Sequence, residues 1–434
     1  MGDGPAPGLW PRLHGLVPAL GSGLASGTAN GSVPTPPPLR LRPSAGRQPG
    51  NGNGIGIGTG SGPTMGGWRD MSAEELEDHY SPSRWSPRLD RDTIIDAHLA
   101  VTAAGTERAR ASGQTLLHVP YGDGDGEKLD IYFPTDPSET FPALVYIHGG
   151  YWQCLSKDDS GFAAPPLVSQ GVAVVAVGYD IAPKGRCCPA EAAAACAAQR
   201  PPALPFVLCS GHMDTMVLQV RRSLVFLVEH YPRIRQRLTD RETSEPTHSD
   251  CATSSARSKA CLGVRRCPSQ SLPPSRGIYL CGHSAGAHLA AMVLSTDWTE
   301  FQVVPDIKGV VLVSGLYDLE PILHTYVNDA LNMSWEVAQR NSPMRHVTPA
   351  VPAACEVLMA VAQHDSPEFR RQSQEYSQVS TRQSQEYSQA LRAAGWSVSV
   401  LDLAGVDHFD VIERLSEDSY VLTQVILNMI SRAR

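Results

Sequence analysis

The chain contains no apolar run approaching the roughly 18 residues that a bilayer-spanning helix needs, so no membrane span is expected. It also lacks a cluster of Lys and Arg: 36 basic residues stand against 44 acidic ones, for a net charge of −8. A balance of that sign gives no purchase on a phosphate backbone, so nucleic acid is excluded and a small-molecule partner is expected. Met1 is followed by Gly-Asp-Gly-Pro rather than by basic residues and an apolar core, so no secretory signal is expected. Ala6 stands where an N-myristoylation signal needs Ser or Thr. Neither C-x-x-C nor H-E-x-x-H occurs, and the Cys187-Cys188 doublet is no substitute, so no metal and no organic cofactor is expected. Of the ten cysteines, seven (Cys187, Cys188, Cys196, Cys209, Cys251, Cys261, Cys267) fall in two segments that read as insertions. Without a secretory signal, reduced thiols in a cytosolic protein are expected instead of a disulfide framework.

Glycine and proline, by contrast, are plentiful, at 38 and 35 of 434 residues. They dominate residues 1–68, which offer too little apolar surface to offset the entropy of ordering and read as a disordered leader. The run NGNGIGIGTGSGP resembles a phosphate-binding loop only superficially. Its glycines alternate strictly, so the third glycine of G-x-G-x-x-G never falls in register, and no strand precedes it.

Residues 69–434 read as a single domain. In MSAEELEDHY, Ser72 and Glu75 have capping-box spacing, and a helix should follow. A second helix is expected from Arg91 to Ala111. TLLHVPYG and KLDIYFP, separated by the turn-rich Asp123-Gly124-Asp125-Gly126, read as a hairpin of two antiparallel strands. Six further strands follow: ALVYIH, GVAVVAVGY, GIYLCG, GVVLVSG, CEVLMAVA and WSVSVLDL. These are mostly short apolar runs without clean alternation, as in strands buried on both faces. Helices are expected between and after them, at Met213–His230, Ala285–Ser295, Ser366–Ala394 and Val411–Ser431. Alternating strand and helix predicts an α/β fold: one mostly parallel sheet led by an antiparallel hairpin, with helices on both faces.

Three stretches interrupt the pattern. Residues 186–212 are rich in Ala, Pro and Cys, and residues 234–275 in Ser and Arg. Loops of that length are uncommon inside a compact domain, so both read as surface excursions or as transcript errors. The first leaves the active-site end of a strand and could partly cover a pocket there. The third is the octapeptide RQSQEYSQ, present at Arg371–Gln378 and again at Arg382–Gln389. The eleven-residue offset is close to three helical turns, so the duplication could lengthen a helix without rotating its buried face.

The chemistry centres on Gly282-His283-Ser284-Ala285-Gly286. A nucleophile elbow needs a strand ending just before the serine and a helix starting just after it, and GIYLCG and AGAHLAAMVL supply both. His148-Gly149-Gly150-Tyr151-Trp152 directly follows another strand. A glycine pair there frees backbone N–H groups for an oxyanion hole, giving Gly149, Gly150 and Ala285 as candidate donors. The acid and base should come later, at strand exits. Asp365 follows CEVLMAVAQH, and His408 follows the last strand. Asp318, after the preceding strand, is the rival acid. His364 adjoins Asp365 too closely to be oriented by it. His283 and His288 flank the serine and read as packing or surface histidines. Tyr151 and Trp152 are candidates either for stacking on an aromatic substrate or for filling the core.

Together these stretches resemble the kynurenine formamidases (arylformamidases) of the α/β-hydrolase superfamily. The likeness rests on MSAEELEDHYSPSRW, LLHVPYGDGDGEKLDIYFP, HGGYWQ, GVAVVAVGYDIAPKG, GIYLCGHSAGAHLAAM, RNSP, DSPEF and VDHF. It implies Ser284, Asp365 and His408 as nucleophile, acid and base, and His148–Trp152 as the family's HGGxW oxyanion loop. It further implies hydrolysis of N-formyl-L-kynurenine to L-kynurenine and formate, in the cytosol and the nucleus, by an enzyme that can be a homodimer. The two insertions and the second octapeptide depart from the family pattern. A carboxylesterase of the HGGG-lipase kind and a catalytically silent α/β-hydrolase module are the alternatives. HGGYW in place of HGGGW counts against the first, and the intact Ser, Asp and His count against the second.

Overall fold

The computed structural model describes residues 68–134, 141–183, 212–243, 277–348, 355–373 and 383–432, with backbone alone at 231–243, 371–373 and 383–386. All belong to one unit of the chain, Pro63–Arg434. The expected leader up to residue 67, its alternating glycines, and nearly all of the first insertion lie outside the described residues.

The order of elements begins with helices α1 (Ala73–His79) and α2 (Ile94–Ser112), followed by strands β1 (Thr115–Pro120), β2 (Lys128–Tyr132) and β3 (Ala143–Ile147). The capping box is present as expected: the Ser72 hydroxyl accepts from Glu75 N, and the Glu75 carboxylate accepts from Ser72 N. Helix α3 (Ala164–Val168), β4 (Ala173–Val177), α4 (Met213–Thr243), β5 (Ile278–His283), α5 (Ala285–Leu294) and β6 (Ile307–Val313) come next. The chain closes with β7 (Glu356–His364), α6 (Pro367–Ser373), α7 (Gln383–Ala393), β8 (Ser397–Asp407) and α8 (Val421–Arg432).

The eight strands form one sheet in the order β1-β2-β4-β3-β5-β6-β7-β8. β1 pairs antiparallel with β2, and β2 with β4, whereas all the remaining pairs are parallel. Along the central strands alternate side chains enter two separate cores. Val145, Ile147, Leu280 and Leu312 pack with α4 and α5, while Leu144, Tyr146, Cys281 and Val311 pack with α3 and α8. Burial on both faces is the reason these strands read as unbroken apolar runs.

Four expectations need correction. WSVSVLDL is not buried on both faces: β8 is the edge strand, largely exposed, and it runs on to Asp407. The helix expected over Ser366–Ala394 is two helices, α6 and α7, that pack against each other, with residues 374–382 between them outside the described residues. The helix expected over Val411–Ser431 is broken into a short helix at Asp410–Glu413, a 3-10 turn at Arg414–Ser416, and α8. Ser416, Asp418 and Ser419 at that break have short polar side chains that compete for backbone hydrogen bonds. Finally, α4 does not stop at His230. It runs on to Thr243 into the stretch read as the second insertion, because Arg, Gln, Leu and Glu there are good helix formers.

Candidate active site

Strand register brings the candidate residues together. Ile147 of β3 pairs with Gly282 of β5, so the residues that follow, His148-Gly149 and His283-Ser284, leave the sheet side by side. Farther along the sheet, beyond β6, His364 of β7 pairs with Asp407 of β8. The next residue on each strand is Asp365 and His408. All these exits lie at the carboxyl ends of parallel strands, where open α/β sheets place ligands.

The elbow is built by backbone constraint. Ser284 has φ 56° and ψ −120°, a left-handed-side conformation that a non-glycine residue adopts only when its surroundings hold it there. Its N–H donates to Val313 O at 2.9 Å. The helix behind it, α5, is buried on every side, as expected for a segment with scarcely a polar residue. Gly286 lets that helix approach the exit of β3: a Cβ there would lie 2.0 Å from Ile147 O and 2.5 Å from His148 O.

The glycine loop folds back over the serine. A Cβ on Gly149 would stand 3.1 Å from Ser284 Cβ, so the loop backbone is in contact with the candidate nucleophile. Gly150 has φ 87°, and Tyr151 and Trp152 follow at 50° and 60°. This run of left-handed residues coils the chain tightly, and its carbonyl at Gly150 accepts from Gln153 N and Cys154 N. Tyr179 fastens the start of the loop: its hydroxyl donates to His148 O at 2.9 Å, and its ring stacks on His148 at 4.2 Å.

His408 and Asp365 form a buried pair. His408 Nδ1 lies 2.9 and 3.0 Å from the two Asp365 oxygens, and Ser366 N donates to the same carboxylate at 2.9 Å. With Nδ1–H donating to Asp365, Nε2 is the nitrogen free to act as base. Ser284, Asp365 and His408 are only 3%, 3% and 4% exposed, so water has little access to the three. Asp318, the rival acid, faces elsewhere: it accepts from Glu320 N and lies 3.5 Å from Arg345.

No protein-family model matches the chain. The chain is 46% identical over 371 residues to the kynurenine formamidase of Danio rerio, an alignment that covers 85% of this chain and 100% of that one. It is 44% identical to the kynurenine formamidase of Salmo salar, again over 85% of this chain and all of the other. This chain belongs to the kynurenine formamidase family. Among solved structures, a candidate thioesterase from Silicibacter sp. shares the fold, with a TM-score of 0.50, 22% identity, and coverage of 82% of this chain and 99% of that one. The fold is that of an α/β-hydrolase, with a mostly parallel sheet and helices on both faces.

In this formamidase-family chain the aromatic residues of HGGYW are core. Trp152 is fully buried, edge-on to His288 at 5.1 Å, and the Tyr151 hydroxyl donates to Tyr80 O at 2.5 Å. They shape the loop from behind. The two histidines beside the elbow are also buried, and burial lowers both pKa values, His288 to about 4 and His283 well below its ordinary value. His283 does more than fill space, however, since its Nε2–H donates to His408 O at 2.9 Å. Sequence reasoning missed that link, and it missed Phe369, whose ring meets His408 edge-on at 4.7 Å and Tyr151 at 5.9 Å. DSPEF carried Phe369 in plain view, but nothing local says which way its ring turns.

Among the described residues one group has metal-ligand composition: His118, Asp130 and Asp158. The Lys157 ammonium already occupies its centre, 2.7 Å from His118 Nδ1, 3.0 Å from Asp130 and 2.8 Å from Asp158. Arg110 adds a second cation at 3.0 and 2.6 Å from the two carboxylates. The protein's own cations thus fill the places a metal ion would take. None of the described helices is long and apolar enough to cross a membrane.

Proposed function

We propose that the chain removes the N-formyl group of N-formyl-L-kynurenine, giving L-kynurenine and formate, as a serine hydrolase within a single domain spanning 69–434. The observation that carries this reading is the buried Asp365–His408 pair, set by strand register beside the Ser284 elbow and the Gly149–Gly150 loop in a member of this family. His408 Nε2 takes the Ser284 proton as Oγ adds to the formyl carbon. The amides of Gly149, Gly150 and Ala285 hold the resulting oxyanion. Collapse expels the aryl amine, which receives the proton from His408, and leaves a formyl ester on Ser284. Water, deprotonated by His408, then adds to that ester, and His408 returns the proton to Ser284 Oγ as the ester bond breaks and formate leaves. Asp365 keeps the imidazole in the required tautomer throughout.

Two features fit a formamide in particular. Formyl is the smallest acyl group, which suits a triad so deeply covered. An aryl amine also leaves more readily than an alkyl amine, so protonation by one histidine suffices. We further propose that the enzyme works in the cytosol, with the nucleus a second location and a homodimer its candidate assembly; the free thiols of Cys154, Cys281 and Cys355 suit a reducing compartment.

Purified protein and a Ser284→Ala control, assayed for formate release from N-formyl-L-kynurenine and for turnover of a short-chain aryl ester, test the proposal. Formamide turnover that depends on Ser284 is expected. Ester turnover alone would replace the substrate with a carboxylester, and no Ser284-dependent turnover of either would leave a silent module.

A further inference from the structure

We propose that residues 80–88, which precede the sheet in sequence, form a strap that aligns the catalytic loops, and that Arg88 within it is a positioning residue for His408. The inference rests on the reading of Ser284 and His408 given above. The strap touches three loops of the site, those carrying the oxyanion glycines, Asp365 and His408. Its Tyr80 carbonyl accepts from the Tyr151 hydroxyl of the oxyanion loop at 2.5 Å. The Tyr80 hydroxyl in turn donates to Glu368, three residues beyond Asp365, at 2.9 Å. At the other end, the Ser86 hydroxyl and the Arg88 guanidinium reach Asp407, the residue immediately before His408.

The Asp407 contacts are dense. Arg88 Nε and Nη2 donate to its two oxygens at 2.8 and 3.1 Å, and Ser86 Oγ donates at 2.6 Å. Phe409 N and Asp410 N donate to the same carboxylate at 2.9 Å each, so Asp407 ties together the backbone on both sides of His408. Burial opposes the charge on Asp407, yet the hydrogen bonds from Arg88 and Ser86 outweigh it and hold its pKa below the usual carboxylate range. Arg88 also donates to Glu413 at 3.1 Å, and Glu413 pairs with His98 Nδ1 at 2.8 Å. Seen from His408, the fork of Arg88 anchors the residue just before it at the buried end of the edge strand β8, alongside the bond from His283 to His408 O. A planar bidentate fork fixes direction as well as charge, which an ammonium cannot do.

A fluorophosphonate probe tests this without reference to the natural substrate, because phosphonylation of Ser284 needs the same base. The full chain is used, with Arg88→Ala, Arg88→Lys, Ser86→Ala and Tyr80→Phe. The final extent of labelling counts intact sites, and the rate constant per labelled site reads alignment. Arg88→Ala is expected to slow labelling per site about tenfold or more, as a misplaced base would, and to lower kcat with little change in KM. Arg88→Lys should recover part of the rate, and the smaller Ser86→Ala and Tyr80→Phe variants should each slow labelling severalfold. Should Arg88→Ala fail to fold, those three variants carry the test. Fewer intact sites that each react at the wild-type rate would overturn the strap, leaving a purely structural contact. Rapid labelling of wild type without formate release would instead sink the substrate assignment, and the strap would still be decided by the rates per site.

Discussion

Replacing Gly286 by alanine tests the packing on which the elbow depends. The added Cβ would lie 2.0 Å from Ile147 O and 2.5 Å from His148 O, whereas carbon and oxygen ordinarily approach no closer than about 3.3 Å. Both obstacles are backbone at the end of the central strand β3, so neither can rotate away. Helix α5 must retreat by roughly an ångström, and with it the Ala285 amide moves from the amides of Gly149 and Gly150. A misplacement of that size costs about 100-fold in rate, and overpacking of this kind costs about 1–3 kcal/mol of stability. Formate release should therefore show kcat reduced about 100-fold with KM changed far less, and thermal unfolding should occur a few degrees lower. Gly113→Ala is the control, because a Cβ there has no heavy atom within 4 Å. A Gly286→Ala protein with the kcat and melting temperature of the control would refute the close packing of α5 on β3.

Three other outcomes follow from the same contacts. Asp365→Asn should lower kcat by about 1,000-fold or more, since an amide favours the wrong imidazole tautomer, whereas Asp318→Asn should leave kcat within about threefold; a reversal would make Asp318 the acid. Burial lowers the pKa of His148 and of His288 to about 4, so between about pH 6.5 and pH 4 the unfolded chain takes up protons that the folded one refuses. Stability should thus be full above pH 6.5 and fall by about 3 kcal/mol for each histidine as pH drops towards 4. Urea midpoints at pH 7, 5.5 and 4.5 should fall less steeply for His288→Gln than for wild type, and equal slopes would refute the burial account. Ser72→Ala removes the α1 cap and should cost about 1 kcal/mol with kcat unaltered, measured by urea unfolding alongside formate release.

The parts of the site that sequence exposed are those carried by local pattern. An apolar run, a glycine-flanked serine and a helix of small residues specify a strand–turn–helix through steric demands within ten residues, so the turn at Ser284 could be placed without a structure. The same holds for the strand exits that carry Asp365 and His408, and for the Ser72 capping box. Errors arose where the pattern was ambiguous over longer stretches. WSVSVLDL alternates Ser397-Val398-Ser399-Val400 and carries Asp402, a half-exposed pattern that its place after a series of apolar strands obscured, and pairing on one side alone makes it an edge.

What the sequence by itself determined, then, is the order of elements, the chemistry of each loop and the family to which the chain belongs. Which loops meet was decided by register, and register is a long-range property. Ile147 pairs with Gly282 and His364 with Asp407 across more than 40 intervening residues in each case, through backbone bonds that carry no residue signature. The choice of Asp365 over Asp318 as partner of His408, the burial of Tyr151 and Trp152 behind the loop, and the grip of Arg88 on Asp407 all follow from that pairing. A side chain's identity states what bond it can make, and only the folded sheet decides which partner stands within reach.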